Sequence, residues 1–334
     1  MPCNIVVGGF FGDEGKGKIV AYLVKKDIIS LAARGGVGPN AGHTFNLNGQ
    51  TFKVRMLPSA AFNVNTNLAI GAGVLVDPKI LLNEISTFHA HDRTFVDPHC
   101  GIIKEDHILQ DSTESFLKDK IGTTGTGTGP ANSDRALRKL SLAMDCSEIK
   151  NYLNDVSCMI HSDLDKKNNV LLEGTQGTYL SLYHGGYPFV TSKDVTASSV
   201  CADVGIGPKY IDEVLVVFKS YVTRVGGGPL ENELGKEETQ KRGWLEYGSV
   251  TGRERRSSPF NIELAKRAIR LNGGTSFALT KLDVLFPECA GVTDYSKLSL
   301  PSKRFVEEIE AELGLKAELI GTGAEVDAVI DQRH

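Results

Sequence analysis

A glycine-rich loop near the start of the chain constrains the fold more than any other segment. Residues 12–19 read Gly-Asp-Glu-Gly-Lys-Gly-Lys-Ile, which matches the G-x-x-x-x-G-K part of a phosphate-binding loop. Apolar runs lie before it, at 4–7, and after it, at 19–24. Glycines allow close backbone approach, and amides at a helix N-terminus attract anions. The segment predicts a strand, a phosphate-binding turn and a helix; a plain glycine turn with surface lysines is the alternative.

The loop departs from the pattern at one position, and this departure bears on metal binding. Ile19 stands where a Ser or Thr hydroxyl would hold magnesium. A hard dication prefers carboxylate oxygen and keeps other positions open for phosphate and water. Asp13, inside the loop, is therefore the predicted magnesium ligand.

Apolar periodicity along the chain indicates an α/β fold. Strand-like runs lie at 4–10, 170–173, 214–223 and 276–282, and helix-like runs at 17–26, 78–88, 133–144, 261–272 and 304–313. We expect a P-loop-like nucleotide-binding fold with a central, mostly parallel sheet flanked by helices and loop insertions. No linker, repeat or low-complexity tract divides the sequence, so the prediction is one catalytic domain over residues 1–334.

Composition and charge limit the classes of function. The sequence is 41% hydrophobic and 23% charged, as in an ordinary globular enzyme, and its formal net charge is -4. This balance argues against general binding to nucleic acid or membrane surfaces. The six cysteines form no C-x-x-C pair, and the sequence has no signal-length or membrane-spanning apolar run. We expect reduced thiols and a cytoplasmic protein.

Four further clusters carry groups suited to phosphate, metal or purine chemistry. Residues 34–44 combine glycines with His43, a candidate acid or hydrogen-bond donor near neutral pH, and residues 122–130 combine glycines with threonine hydroxyls. Residues 248–256 carry arginines that match carboxylate and phosphate oxygens. The acid in 280–283 could accept hydrogen bonds from guanine. Taken alone, His43 could be a structural histidine, residues 122–130 a flexible turn and residues 248–256 a solvated basic turn.

Taken in order, these clusters resemble those of the adenylosuccinate synthetase family across nearly the whole chain. The resemblance rests on separated segments at 12–18, 40–44, 123–125 with 129–130, 173–178, 251–256 and 280–283. Agreement at so many separated positions is more specific than the glycine-rich loop alone. The length of the chain is similar to that of the compact archaeal and viral forms.

The resemblance implies a magnesium-dependent ligase that joins L-aspartate to IMP while GTP becomes GDP and phosphate. The product is adenylosuccinate, the precursor of AMP. A 6-phosphoryl-IMP intermediate is implied because the purine oxygen is otherwise a poor leaving group. A homodimer is implied as well, in which Arg138 reaches IMP in the partner subunit.

The same resemblance assigns roles to residues. Asp13 would take the N1 proton of IMP and bind magnesium beside the Gly42 carbonyl, and His43 would assist phosphoryl transfer, with Lys16 and Gln176 completing the catalytic group. The implied IMP contacts are Asp13, Lys16, Asn40, His43, Thr124, Arg138, Gln176, Thr191 and Arg253. The implied GTP contacts are Gly12, Gly15, Lys16, Gly17, Lys18, Gly42, Thr44, Arg255, Lys281, Asp283, Gly321 and Gly323. The implied aspartate contacts are Ser249, Val250, Thr251, Gly252, Arg253 and Arg255.

The sequence departs from the common family form at a few positions. Phe10 and Phe11 stand where Gln-Trp is common, and Gly321 stands where serine is usual. A related branch of the family uses dGMP and makes the precursor of 2-aminoadenine nucleotides. Its best-known members carry serine at the loop aspartate, so Asp13 favours the IMP reaction.

Two functions of other classes remain open on the sequence alone. A GTP-binding regulator could use the glycine-rich loop and residues 280–283 to bind nucleotide, with a conformational change as its output. A zinc protein could use His89, His91, His99 and Cys100, although their irregular spacing is more typical of a polar surface.

Overall fold

The computed structural model describes residues 2–248 and 252–333. The strands in these residues are Cys3–Gly8 (β1), Ile29–Arg34 (β2), His43–Leu47 (β3), Gln50–Val54 (β4), Asn67–Ile70 (β5), Leu75–Val76 (β6), Thr94–Val96 (β7), Gly101–Ile102 (β8), Asn169–Glu173 (β9), Glu213–Lys219 (β10), Tyr221–Arg224 (β11), Arg256–Pro259 (β12), Ser276–Thr280 (β13), Ala317–Gly321 (β14) and Val329–Asp331 (β15). The α-helices are Lys16–Lys26 (α1), Pro78–Thr87 (α2), Glu105–Thr113 (α3), Thr128–Ala136 (α4), Val156–Asp165 (α5), Ala197–Val204 (α6), Lys236–Lys241 (α7), Ile262–Asn272 (α8), Leu282–Leu285 (α9) and Leu300–Leu313 (α10).

A nine-stranded sheet forms the centre of this described part of the chain. Its order is β15-β14-β13-β10-β1-β9-β2-β5-β7, and the pairings are parallel except that of β14 with β15. Every residue of β1 is buried, as expected for a parallel strand covered on both faces. The predicted α/β fold with a mostly parallel central sheet is confirmed.

Successive side chains of the central strands lie on opposite faces of the sheet, so the core has two layers. Ile5 packs with Leu172 on one face of the sheet, whereas Val6 packs with Leu171 on the other. Burying one such aliphatic side chain stabilises the fold by roughly 1.5–3 kcal/mol. Both faces of β1 and β9 are therefore fixed by packing, and the loops that leave these strands start from a rigid support.

The predicted helices 17–26, 78–88 and 261–272 agree with α1, α2 and α8 to within about a residue. Asp77 begins α2 by accepting hydrogen bonds from the amides of Lys79 and Ile80. Asn261 begins α8 in the same way, at the amide of Leu264. Short polar side chains at these positions satisfy amides that lack a partner within the helix. Among the described residues, no helix combines the length and apolarity needed to cross a membrane.

The predicted strands 4–10 and 276–282 each end two residues earlier, and the predicted helix 304–313 begins four residues earlier. Two further predicted elements differ more strongly from the structure. The predicted strand 214–223 is two strands, because β10 ends at Lys219 and β11 pairs with β12 in an antiparallel ribbon outside the main sheet. The predicted helix 133–144 is instead α4, which ends at Ala136. Arg138 then has a φ of 60°, a left-handed conformation that stops the helix.

The sequence motifs lie at the carboxyl edge of the parallel sheet. The loop 9–15 follows β1, the loop 35–42 follows β2, and the loop 174–177 follows β9. Residues 281–283 follow β13, and Gly321 ends β14. Parallel strands bring such loops to one edge, where α/β proteins bind their ligands. The topology therefore places distant motifs next to one another.

A buried carboxylate on α2 fixes the segment that leads into this edge. Glu84 accepts hydrogen bonds from the amides of Arg55 (2.6 Å), Met56 (3.0 Å) and Leu57 (2.8 Å). Ser59, two residues further on, donates through its amide and its hydroxyl to the carboxylate at the end of β9. Glu84 thus connects the helix layer to the functional edge of the sheet.

Replacing Glu84 by alanine should lower the free energy of unfolding by about 3 kcal/mol, because three amides lose their acceptor. Urea unfolding followed by circular dichroism measures this change. Glu105→Ala is the control, since Glu105 forms a surface ion pair with Lys79 in which both side chains are mostly exposed. That control should unfold like the parent protein. Equal stability of the two variants would contradict the role of Glu84.

Candidate active site

The glycine-rich loop between β1 and α1 is shaped by its own carboxylate. Glu14 Oε1 accepts hydrogen bonds from the amides of Phe10 (2.9 Å) and Gly12 (2.7 Å), and Glu14 Oε2 lies 3.1 Å from Lys16 Nζ. Gly12 and Gly15 have φ values of 94° and 86°, which favour glycine. Lys16 is buried at the first position of α1. The loop therefore carries a charge-paired lysine at a helix N-terminus.

A cavity of about 370 Å³ opens beside this loop. Its walls come from loops at the carboxyl edge of the sheet and from the segments 116–124 and 187–192. The predicted site residues that line it are Gly12, Asp13, Asn40, Gly42, His43, Thr124, Gln176, Thr191 and Arg253. The fold thus joins residues from separated motifs around a space in the size range of small-molecule sites.

Asp13 lies where the cavity meets a cluster of cations. Asp13 Oδ1 is 3.0 Å from Arg255 Nη2, and Oδ2 accepts a hydrogen bond from Thr223 Oγ1 at 3.4 Å. Burial raises the pKa of Asp13, and the opposing effects of Arg255 and Lys219 do not cancel this rise. A largely buried carboxylate with a raised pKa is suited to accept a proton.

His43 is held by two buried charges. Its Nδ1 faces the Glu173 carboxylate and lies 2.7 Å from Arg34 Nη1. Burial and then Arg34 lower the pKa of His43 to about 4, while His43 and Arg34 overcome the effect of burial on Glu173 and lower its pKa to about 2. The imidazole is therefore neutral at pH 7. The predicted role as an acid requires an added anion, such as phosphate, that favours the charged form.

Several polar atoms beside the cavity have no hydrogen-bond partner in the described part of the chain. They include Asn40 Oδ1, Gln176 Oε1 and His43 Nε2, all of them buried. Asn40 Nδ2 donates to Thr191 Oγ1 at 3.2 Å. Gln176 has a φ of 56°, an uncommon backbone conformation outside glycine. Buried polar atoms are normally satisfied, so this group of atoms indicates a polar ligand.

Three of the predicted nucleotide-binding residues, Lys18, Thr44 and Asp283, are not among the residues that line the cavity. Lys18 Nζ donates to the carbonyls of Gly323 (2.6 Å) and Ala328 (2.8 Å), and burial lowers the pKa of Lys18 to about 8. Asp283 Oδ1 and Thr44 Oγ1 are buried and have no partner within the residues described. An acceptor without a donor at Asp283 suits the N–H groups of guanine.

Glycines allow close packing around the first turn of α1. A Cβ atom at Gly17 would lie 2.8 Å from His43 Cβ, and a Cβ atom at Gly321 would lie 3.2 Å from Lys18 Nζ. The absence of a side chain at Gly17 therefore lets the helix pack directly against the residue that borders the cavity.

The predicted aspartate-binding residues are described only in part. Ser249, Val250 and Thr251 lie outside the described residues. Gly252 has a φ of 65°, and Arg253 lines the cavity. Arg255 contacts Glu246 through Nη1 at 2.6 Å as well as Asp13 through Nη2.

Arg138, the residue predicted to act across a dimer, is not among the residues that line the cavity. It is exposed just beyond the end of α4, next to Leu137, which is 58% exposed. Arg138 therefore lies at the surface, away from the cavity of its own chain.

The two aromatic residues that depart from the common family form have different positions. Phe10 is buried, with its ring centroid 4.9 Å from that of Phe218. Phe11 lines the cavity, and the Arg224 guanidinium lies 4.6 Å from its ring centroid. Only the second departure changes the wall of the cavity.

The donor atoms around Asp13 fit magnesium. Asp13 and Gly42 border the same cavity and offer carboxylate and carbonyl oxygen. Magnesium commonly takes one or two protein carboxylates and completes its shell with phosphate and water. The sequence also lacks a hydroxyl residue at position 19, where Ile19 is fully buried. Asp13 is thus the loop residue suited to the metal.

The alternative zinc site is not formed in the part of the chain that is described. His91 Nδ1 lies 3.1 Å from Tyr152 Oη, and the buried Cys100 Sγ lies 3.1 Å from the Gly71 carbonyl. Across residues 2–248 and 252–333, no group of three or more His, Cys, Asp or Glu side chains could hold a metal ion. The histidines near residue 90 therefore have ordinary polar roles.

Sequence reasoning missed several charges that shape the site. Glu14 and Glu173 lie in segments that match the family, but neither residue was assigned a role from the sequence. Glu246 lies outside all of the motifs. Lys219 was contained in a predicted apolar strand, yet its side chain is buried beside Glu246. A lysine at the end of the apolar run 214–218 was the available signal, because buried lysines require a partner.

Comparison with known proteins identifies the family. The family model described as adenylosuccinate synthetase matches residues 5–146 and 141–290. The adenylosuccinate synthetase of Methanocaldococcus jannaschii is 53% identical over 337 residues, covering 100% of this chain and 98% of that protein. The one from Pyrococcus horikoshii is 52% identical over 336 residues, covering 100% of this chain and 99% of that protein.

Solved structures show the same fold at lower identity. A fully ligated adenylosuccinate synthetase from Plasmodium falciparum has a TM-score of 0.92 at 24% identity, with 99% of each chain covered. The succinoaminodeoxyadenylate synthetase of cyanophage S-2L, bound to dGMP and dATP, has a TM-score of 0.82 at 23% identity, covering 100% of this chain and 96% of that one. The full-length matches to archaeal enzymes show that the chain belongs to the adenylosuccinate synthetase family and is an adenylosuccinate-forming carbon–nitrogen ligase.

Proposed function

We propose that the chain carries out its reaction by phosphorylating O6 of IMP with GTP and then replacing that phosphate with the amine of L-aspartate. One observation carries the proposal. Asp13 lines the cavity together with Asn40 and Gln176, which carry unsatisfied acceptors, and it also contacts Arg255, which shares Glu246 with Lys281 of the predicted guanine site. A purine in the cavity and a nucleotide beside Lys281 would therefore both lie close to Asp13.

In the first step, Asp13 would accept the N1 proton of IMP while O6 attacks the γ-phosphorus of GTP. The O6–P bond forms as the bond from the γ-phosphorus to its bridging oxygen breaks, and GDP leaves. The raised pKa of Asp13 supports this role as base. The charge of the incoming phosphate would favour protonated His43, which then donates a hydrogen bond through Nε2. Lys16, buried at the first position of α1, would neutralise part of the negative charge on the transferring phosphoryl group.

In the second step, the amine of aspartate would attack C6. The new C–N bond forms, and the C6–O6 bond breaks with O6 leaving as part of phosphate. The nitrogen gives one proton to the departing phosphate, and Asp13 releases the N1 proton to solvent before the next turnover. Arg253, which lines the cavity, and residues 249–252 would hold the aspartate carboxylates, because guanidinium groups bind carboxylates in a bidentate way. Thr124 and Thr191 would position the IMP ribose and phosphate.

The nucleotide would lie along the carboxyl ends of β1, β13 and β14. Asp283 Oδ1 is a buried acceptor without a donor, which supports recognition of the guanine N–H groups. Lys281 would flank the base, with Gly321 and Gly323 closing the site. Gly12, Gly15, Gly17, Lys18, Gly42, Thr44 and Arg255 would surround the phosphates.

Magnesium, held by the Asp13 carboxylate and the Gly42 carbonyl, would offset charge on the transferring phosphoryl group when bound. Arg255 Nη2 lies 3.0 Å from Asp13 Oδ1 in the described arrangement. The proposal therefore requires Arg255 to move toward the nucleotide phosphates as the substrates bind.

We further propose a cytoplasmic homodimer of one catalytic domain over residues 1–334, in which the partner's Arg138 binds the IMP phosphate. The exposure of Arg138 and its absence from the cavity of its own subunit support a contact in another molecule. The residues assigned to IMP and those assigned to GTP follow strands of the same sheet, which supports a single domain.

Asp13→Asn should lower kcat by a factor of about 100 or more, because the amide keeps the shape of the carboxylate but cannot accept the N1 proton. Steady-state assays with saturating IMP, GTP, L-aspartate and magnesium measure this loss. Asp106→Asn, on the exposed face of α3, is the matched control and should keep full activity. Turnover by the Asp13 variant equal to that of the control would remove Asp13 from the chemistry.

Mixing two inactive variants tests the shared site. Arg138→Leu and Asp13→Asn subunits, mixed in equal amounts and allowed to exchange, should recover about a quarter of parental activity, because half of randomly paired dimers contain one intact site. Each variant alone serves as the baseline. Failure to recover activity, with subunit exchange shown by mass spectrometry of the intact dimer, would contradict an Arg138 contact across the interface.

The choice of purine can be tested directly. With magnesium, GTP and L-aspartate, IMP should give adenylosuccinate and dGMP should give no adduct, because Asp13 is retained in the loop. Mass spectrometry of the products distinguishes these outcomes. A succinylated product from dGMP would show that the loop aspartate does not set purine choice, and GDP without an adduct from IMP would favour nucleotide hydrolysis.

A further inference from the structure

We infer that Glu246 is a positioning residue that holds Arg255 and Lys219 beside Asp13 and connects them to Lys281. The inference rests on the proposed function, since Asp13 is its reacting group. Glu246 does not line the cavity, so its effect on the reaction must pass through its neighbours.

The Glu246 carboxylate is surrounded by donors. Oε2 lies 2.6 Å from both Lys219 Nζ and Arg255 Nη1. Oε1 accepts a hydrogen bond from Tyr221 Oη at 2.6 Å and lies 3.6 Å from Lys281 Nζ. Only 15% of the side chain is exposed. Charge-assisted contacts of this kind are short and directional, so they fix the geometry of both cations.

Two separate paths connect Glu246 to the two oxygens of Asp13. Arg255 uses Nη1 for Glu246 and Nη2 for Asp13 Oδ1, at 3.0 Å. Lys219 Nζ donates to Thr223 Oγ1 at 3.0 Å, and Thr223 in turn donates to Asp13 Oδ2 at 3.4 Å. The orientation of the whole Asp13 carboxylate thus depends on groups that Glu246 holds.

The charge balance explains why a second carboxylate is needed. Arg255, Lys219 and Lys281 place three cations around the two carboxylates Asp13 and Glu246. Without the charge of Glu246, the attraction of Arg255 and Lys219 for Asp13 would no longer be shared with a second carboxylate. Arg255 would then bind Asp13 more tightly and could not move to the nucleotide phosphates. Glu246 shares the cations and leaves Asp13 available.

Aromatic packing gives the cluster a rigid base. Tyr221, which donates to Glu246, stacks on Trp244 with ring centroids 4.5 Å apart and an interplanar angle of 16°. Lys219 Nζ lies 4.3 Å from the Tyr221 ring centroid. Trp244 is the single tryptophan of the chain, so its fluorescence reports on this cluster alone.

The test compares Glu246→Gln with Glu238→Gln. Glu238 forms an ion pair with Arg242 at 2.6 Å on the exposed surface of α7, outside the cluster and outside every motif of the site. Glu246→Gln should lower kcat by about 10- to 100-fold while KM for IMP stays unchanged, as for groups that orient a reacting residue. Glu238→Gln should keep the parental kcat.

A third variant separates charge from packing. Glu246→Asp keeps the negative charge and should retain clearly more activity than Glu246→Gln. Equal losses in both, or a rise in KM for IMP as large as the fall in kcat, would overturn the inference in favour of a structural role. Urea unfolding followed by Trp244 fluorescence shows whether the variants are folded. If Glu246→Gln does not fold, Glu246→Asp with parental kcat supports the inference, and Glu246→Asp with the activity of Asp13→Asn contradicts it.

The Asp13→Asn variant distinguishes failure of the inference from failure of the proposed function. If Asp13→Asn is inactive and Glu246→Gln has parental kcat, the inference fails and the proposed function stands. If Asp13→Asn is active, the role of Asp13 fails, and the inference about Glu246 fails with it.

Discussion

Parallel pairing of β1 with both β9 and β10 is the constraint on which the site depends. This pairing places the loop that contains Asp13 between the carboxyl ends of its two neighbours. Gln176 lies in the loop that follows β9. Thr223 lies on β11, which follows β10 after the single residue Ser220. Both faces of these strands are covered by core layers, so a one-residue shift of register would exchange the side chains of the two layers and disrupt the packing of both. The site geometry is therefore fixed by the same packing that stabilises the core.

Three carboxylates that do not line the cavity hold four cations near the site. Glu14 holds Lys16, Glu173 holds Arg34 and faces His43, and Glu246 holds Lys219 and Arg255. Burying such pairs costs desolvation energy, so they are weak sources of stability. Their effect is geometric, because they hold Lys16, Arg34 and Lys219 in fixed orientations and leave Arg255 as the cation that moves when the substrates bind. In a reaction that moves a phosphoryl group, preorganised charge contributes much of the rate enhancement.

The sequence predicted the parallel sheet, the glycine-rich turn and the polar part of the cavity lining that comes from the motifs, because each of these leaves a local pattern of glycines, apolar runs or clustered polar residues. The break between β10 and β11 was missed because both halves are apolar and the change of partner strand depends on tertiary pairing with β12. The role of Glu246 was missed for a related reason. It lies 233 positions from Asp13 in the sequence, and only the fold makes the pair share Arg255.

Phe10 and Phe11, which stand where Gln-Trp is common in the family, are adjacent in sequence but contact different parts of the structure. Phe10 packs against Phe218 and Phe260, with ring centroids 4.9 and 5.3 Å away, and so belongs to the core. Phe11 points the other way, into the cavity, and supports the Arg224 guanidinium on its ring face. Such a cation–π contact is stronger when shielded from water, and it adds to the hydrogen bonds that Arg224 donates to the carbonyls of Pro229 and Phe189. Differences in substrate binding caused by this departure would therefore act through Phe11 and Arg224.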